Sequence, residues 1–271
     1  GATATDSVLT VTMDSNKSIT AEFEEDRTKV VEVTSTTGLT WMDRNMGARR
    51  AATSSTDALS YGDLYQWGRA ADGHEKRTSS TTNTLSDTDT PGHGDFIVTG
   101  TNDETNDWRS SQNDNLWQGV NGVNNPCPAG FRVPTEAEWQ AEVDTWDDKN
   151  STGAYASPLK IPLPGYRDYT NGSLNKDGSE GFYWSSTLNG KDAKTQLFLS
   201  IAFLTPYPRA FGFSVRCIKD QYTLTTSVTG SGSITVDPDD VFFDPDTEVE
   251  LTATPEEGWL FSTWTGDLPD G

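Results

Sequence analysis

A chain of 271 residues is longer than most single domains, which predicts one large and one small unit. Its 20 Lys plus Arg against 41 Asp plus Glu leave a net charge of −21, which repels phosphate backbones and anionic lipid heads; nucleic acid and membrane insertion are excluded as partners, and no run approaches the ~18 apolar residues of a span. Nine Trp, eight Tyr and eleven Phe exclude disorder, while the low aliphatic content beside many Thr, Ser, Gly, Asn and Asp predicts short strands joined by turns.

Residues 7–24, SVLTVTMDSNKSITAEFE, alternate apolar and polar across two runs separated by Asp14, Ser15 and Asn16, the pattern of a hairpin. Residues 25–29 read as a charged linker. Val30 to Trp41 then predicts two strands bent at Thr37 and Gly38. Ser60 and Asp63 are spaced as a capping pair, predicting a short helix through Trp67. The stretch from Gly73 to Asn115 is polar and predicts a long loop region with one strand at Phe96 to Thr99. Thr135 and Glu138 form the clearest helix start, with the helix expected to run to about Asp147. Pro- and Gly-rich turns follow, then strands at 181–186, 196–203 and 211–218. From Gln221 onward short alternating strands punctuated by Gly and Pro announce a second, all-β unit.

Cys127 and Cys217 are the only cysteines, an even count in a chain with secreted texture, which reads as one disulfide; two buried free thiols are the alternative. The chain starts at Gly1 rather than Met and carries no signal peptide, so a processed form or an excerpt is expected.

Two resemblances cover nearly the whole chain. The segments TWMDRNMGAR (40–49), YGDLYQWGRAADGHEKR (61–77), DWRSSQNDNLWQGVNGVNNPCPAGFRVPTEAEW (107–139) and GFSVRCIKD (212–220) resemble the Fibrobacter major paralogous domain. That resemblance implies an α+β C-type-lectin-like fold over 30–220, and it supports the disulfide, because both cysteines fall in the matching segments. Residues 221–271, through LTATPEEGWLFSTWTGD, resemble the first part of the divergent internalin B repeat of bacterial surface proteins, and VTMDSNKSITAEF within residues 1–24 resembles its last part. The expected architecture is therefore a lectin-like domain plus a small mainly-β repeat domain split between the two chain ends.

A half-repeat exposes unpaired strand edges and an apolar face, so something completes it. The halves meet within one molecule, between neighbours, or along a longer tandem polypeptide; the leading expectation is head-to-tail completion between copies of the chain. Val8, Leu9, Val11, Ile19, Ala21 and Phe23 would then share a core with Leu224, Ile234, Val249, Leu251, Trp259 and Trp264. The expected function is a non-catalytic structural subunit of an extracellular bacterial filament or surface array, with a cell-surface adhesin or carbohydrate-binding module, and surface glycans as partners, as the alternative.

Other chemistry is weighed against blander readings. RVPTEAEW (132–139) resembles the formylglycine-generating enzymes, but their activity uses a close cysteine pair near the domain's end, where this chain has only Cys217, so no enzyme is expected. Asp103, Asp107 and Asp114 lie in a run of hard oxygen ligands suited to Ca²⁺, beside the reading of a polar loop closed by Asx turns; no other cofactor is expected. Trp41, Trp67, Trp108, Trp117 and Trp184 suit a core better than a sugar platform. His74 and His93 are read as solvated or hydrogen-bonded loop residues.

Overall fold

The computed structural model describes residues 30–100 and 106–268, together with positions 12, 16 and 18. The proposed hairpin at 7–24, with Val8, Leu9, Val11, Ile19, Ala21 and Phe23, the linker at 25–29, and Asp103 lie outside these described residues.

Thr135 starts the first helix as anticipated: its hydroxyl accepts from the Glu138 amide while Glu138 accepts from the Thr135 amide, closing both halves of a capping box. This helix, α1, spans Glu136–Asp144 and ends three residues before the expected Asp147, because Thr145 turns back onto the Glu142 carbonyl. A second, unanticipated helix, α2, covers Ser151–Ala156, with the Asn150 carboxamide accepting from the Thr152 and Gly153 amides. The helix expected from Ser60 to Trp67 is not formed. Asp57 instead caps a 3₁₀ turn at Ala58–Ser60, and Tyr65–Gln66 is a strand.

The rest is strand and loop. Glu32–Thr34 and Thr40–Met42 form the expected hairpin, with Gly38 at φ +86° in the turn. The closing strand Ile218–Lys219 slots between Thr40–Met42 and Phe131–Arg132, completing a four-stranded antiparallel sheet. A second four-stranded sheet orders Tyr65–Gln66, Gly212–Phe213, Tyr166–Arg167 and Leu174–Asn175. Gly181–Asn189, Asp192–Phe198 and Ala202–Tyr207 make a three-stranded meander, so the single strand expected at 196–203 is in fact two strands divided by a turn. Thr81–Thr82 pairs with Phe96–Ile97 in parallel, and Gly232–Asp237 pairs with Glu250–Pro255 as an antiparallel ribbon.

This arrangement overturns the α+β C-type-lectin-like expectation. Among the described residues the protein is mainly β, built from five small sheets with two helices of nine and six residues. The physical reason is compositional: between 30 and 220 the Gly-, Asn- and Asp-rich segments carry one strong helix start and no sustained 3.6-residue apolar period, so helix cannot propagate.

Irregular chain of this kind has many backbone carbonyls without ladder partners, and long side chains supply the donors. Trp184 Nε1 donates to the Tyr65 carbonyl at 2.7 Å, Trp67 Nε1 to Ser185 at 2.9 Å, and Trp108 Nε1 to Trp67 at 2.7 Å. Arg216, fully buried, donates to the carbonyls of Met42 and Leu159 and to the Asn45 side chain, and burial draws its guanidinium down to about 10. Arg69 reaches the His93 and Asp95 carbonyls, and Arg209 lies 4.8 Å over the Trp67 ring. The five tryptophans read as core from the sequence are all fully buried.

Two apolar clusters result, one around Trp67, Trp117, Trp184 and Phe213, the other around Trp41, Trp139, Trp146 and Phe198. Trp139 joins α1 to the sheets: its ring lies 4.9 Å from Trp41 and 5.7 Å from Tyr183, and its Nε1 donates to Trp184. Trp139→Ala is therefore expected to cost about 3 to 5 kcal/mol, read as a lowered urea midpoint at unchanged slope.

Candidate functional site

The ribbon at 232–237 and 250–255 has strict alternation. Ile234 faces Ala253 and Val236 faces Leu251, all half-buried, while Thr235, Asp237, Glu250 and Thr252 point to solvent. In a finished domain the apolar row would be sealed. Here, of the twelve large apolar side chains left exposed among the described residues, eight lie between Tyr222 and Leu268: Tyr222, Leu224, Val228, Val241, Trp259, Leu260, Phe261 and Leu268. Leu260 is 92% exposed. Among the described residues no third strand flanks the ribbon on either side, and residues 259–268 form no strand.

The expected interface residues divide accordingly. Ile234, Val249 and Leu251 line the half-covered face, Leu224 and Trp259 are exposed, and Trp264 is half-buried with its ring 5.4 Å from Phe261. Trp259 also lies across Gly230, where φ is +102° and an added β-carbon would come within 3.0 Å of the ring.

This unit is anchored at its start. Tyr222 and Phe243 exchange backbone hydrogen bonds at 2.8 Å, Lys219 pairs with Asp244 at 2.7 Å, and the Phe242 ring sits over Gly38 in the first hairpin turn, where a β-carbon would come within 2.9 Å. Phe243 is the buried apolar plug of the joint. The open face is thus held against a folded domain.

Residues 222–270 match the family model of the divergent InlB B-repeat domain. No curated protein and no solved structure matches the chain. The B-repeat family suggests a bacterial surface protein, and among the described residues no helix is long and apolar enough to cross a membrane. The Cys127–Cys217 disulfide is formed, with a Cα separation of 5.9 Å, so neither cysteine is a free thiol.

In the middle region, Asp107 and Asp114 do converge, but on a cation the chain itself provides. Arg209 lies 2.6 Å from Asp114 and 4.0 Å from the buried Asp107. Asp107 accepts from the Arg109 amide and Asn113 from the Asn115 amide, which are Asx turns. At the helix start, burial draws Glu138 upward, but the paired Arg132 guanidinium and the Thr135 donors outweigh it and leave the carboxyl below its ordinary value.

A second polar cluster went unrecognised in the sequence. Asp72, His74 and Glu75 bring their ligand atoms within 4.8 Å of one another. Each already has a partner: Asp72 pairs with Arg69, Glu75 with Lys76, and His74 sits between, Nδ1 at 2.7 Å from Asp72 and Nε2 accepting from the Gln66 amide at 3.1 Å. Contrary to the solvated alternative for a loop histidine, His74 is fully buried. Burial lowers its imidazole to about 4, with Arg69 adding to the fall and Asp72 and Glu75 opposing it. The folded state therefore holds His74 neutral, while the unfolded chain binds a proton near the ordinary 6.5. Stability from this residue is complete above that value and is lost as pH falls from 6.5 toward 4, by about 3 kcal/mol in all. Urea titrations across this range should show the loss in the native protein and its absence in His74→Gln.

Proposed function

We propose that the protein is a non-catalytic structural subunit of an extracellular bacterial filament or surface array. Residues 1–24 of one copy complete the B-repeat begun at residue 222 of the next. The observation that carries this reading is the open apolar face of the matched repeat segment, with Trp259, Leu260 and Phe261 exposed and, among the described residues, no further strand beside the ribbon. Among the described residues the face stays open, and a second copy of the chain would cover it.

The occupant is chosen by sequence. Residues 7–24 alternate apolar and polar with the period of a strand pair, VTMDSNKSITAEF within them resembles the end of the same repeat, and the segment offers Val8, Leu9, Val11, Ile19, Ala21 and Phe23 as apolar contacts. Such a contact is heterologous: the two participating surfaces differ, and repetition gives an open fibre wherever the rotation does not close. Residues 30–220, whose motifs resemble the Fibrobacter major paralogous domain, would form the displayed body, with the disulfide protecting it outside the cell. Glycan recognition draws no support from the five core tryptophans, whose rings are inaccessible.

Negative-stain electron microscopy and sedimentation of the purified chain test the reading. Filaments or concentration-dependent oligomers are expected, and a strictly monomeric protein at high concentration would sink it.

A further inference from the structure

Beside the histidine cluster lies an arrangement with different chemistry. Lys76 Nζ is 2.7 Å from Asp63 Oδ2 and 3.2 Å from Glu75 Oε1. Both carboxylates are buried residues, whereas the lysine side chain is about half exposed. One primary amine is thus clamped between two buried carboxyls of different surroundings. Glu75 is held by the Gly73 amide at 2.8 Å, whereas Lys76 is the hydrogen-bond partner that reaches the Asp63 carboxyl.

The backbone fixes this contact from both sides. The Asp63 amide donates to the Met46 carbonyl and the Leu64 amide to the Glu75 carbonyl, both at 2.9 Å, so residues 63 and 75 are bound at the backbone. The Asp63 carboxyl lies directly on Gly47, where an added β-carbon would fall 2.0 Å from Oδ2. It therefore cannot swing away in that direction.

We propose that Lys76 and Asp63 condense into an intramolecular isopeptide bond, with Glu75 as the proton carrier. The Lys76 ammonium gives a proton to Glu75, and the neutral Nζ attacks Cγ of the protonated Asp63 carboxyl. The tetrahedral adduct loses its second nitrogen proton as the hydroxyl departs with a proton delivered by Glu75. The Nζ–Cγ amide forms, one Cγ–O bond breaks, and one water leaves toward the solvent-exposed side of the lysine. The proton that neutralised Asp63 returns to solvent from Glu75, so no oxidant or co-reactant is needed.

Burial raises the Asp63 carboxyl against the pull of Lys76, which favours the neutral acid that attack requires. Lys76 is raised as well: burial draws it down, but Asp63 and Glu75 together outweigh that and favour its ammonium form. Attack requires Lys76 to shed its proton against that pull, so the bond is expected to accumulate slowly after folding rather than during it. A completed bond would staple residues 63–76, the segment carrying Trp67, Arg69 and His74, in chemistry insensitive to reducing agents.

Intact mass of the full-length protein, denatured and disulfide-reduced, decides the matter, fresh and after prolonged incubation. The expected result is a growing species lighter by one water, with peptide mapping placing the loss in a branched peptide that joins Lys76 to Asp63. Lys76→Arg keeps the ion pair and should retain full mass, and Glu75→Gln should slow the conversion at least tenfold. Full mass after prolonged incubation overturns the proposal. So does a water loss that maps to the Asp72–Gly73 step and is cleaved by hydroxylamine, the mark of a succinimide, or one that persists in Lys76→Arg.

Discussion

Deleting residues 1–24 is expected to abolish assembly while leaving the body from residue 30 folded and its disulfide intact. The deletion removes an apolar row whose burial against Ile234, Val249, Leu251 and Trp259 would contribute roughly 1.5 to 3 kcal/mol per large side chain before ordering is subtracted. Losing several such contacts together weakens association by many orders of magnitude. The complementary change acts on the other surface. Leu260→Ser with Phe261→Ser alters side chains that are exposed in a single chain, so thermal unfolding of the isolated subunit should hardly move while assembly fails. Adding a peptide of residues 1–24 to the deleted protein should cap the open face and produce a monomer of raised stability. A truncated chain that still forms filaments would refute head-to-tail completion. A full-length monomer with its own ends paired would identify a permuted domain instead.

Replacing both Cys127 and Cys217 by alanine carries the other large effect. The bond spans 90 residues, and by chain entropy a loop of that size stabilises by about 4 to 5 kcal/mol. It links the segments that lead into two paired strands, Phe131–Arg132 and Ile218–Lys219, so its loss also loosens the sheet that the closing strand completes. Cys217 is fully buried, so reduction requires local opening. Urea unfolding with and without reductant should show a midpoint shift in the native protein. The double-alanine variant should start from the lower midpoint and ignore reductant. Equal midpoints in all samples would mean that the strand pairing alone holds this end of the domain.

Local chemistry was legible from residue types wherever it is decided by near neighbours. The capping box at Thr135 and Glu138, the hairpin turning at Gly38, and the texture change at Gln221 all depend on contacts within a few residues. The tryptophan core was legible for a different reason, since rings of that size seldom remain in water in a chain with so few aliphatics.

What only tertiary structure decided involves partners distant in sequence. Ser60 and Asp63 have the spacing of a helix cap, but Asp63 is engaged by Lys76 and the following Tyr65–Gln66 is captured by Gly212–Phe213, so strand pairing overrides the local preference. His74 looks like any loop histidine until Gln66 and Asp72 enclose it. Asp107 and Asp114 both approach Arg209, about a hundred residues onward, a contact that no local pattern announces. By itself, the sequence determined the β-rich character, the anchors of the core, the disulfide pair and the repeat at the end of the chain. The pairing of the short strands into five small sheets and the charge partners were decided in three dimensions, because a carboxylate, an imidazole or a guanidinium takes its role from whatever the fold places within hydrogen-bonding distance.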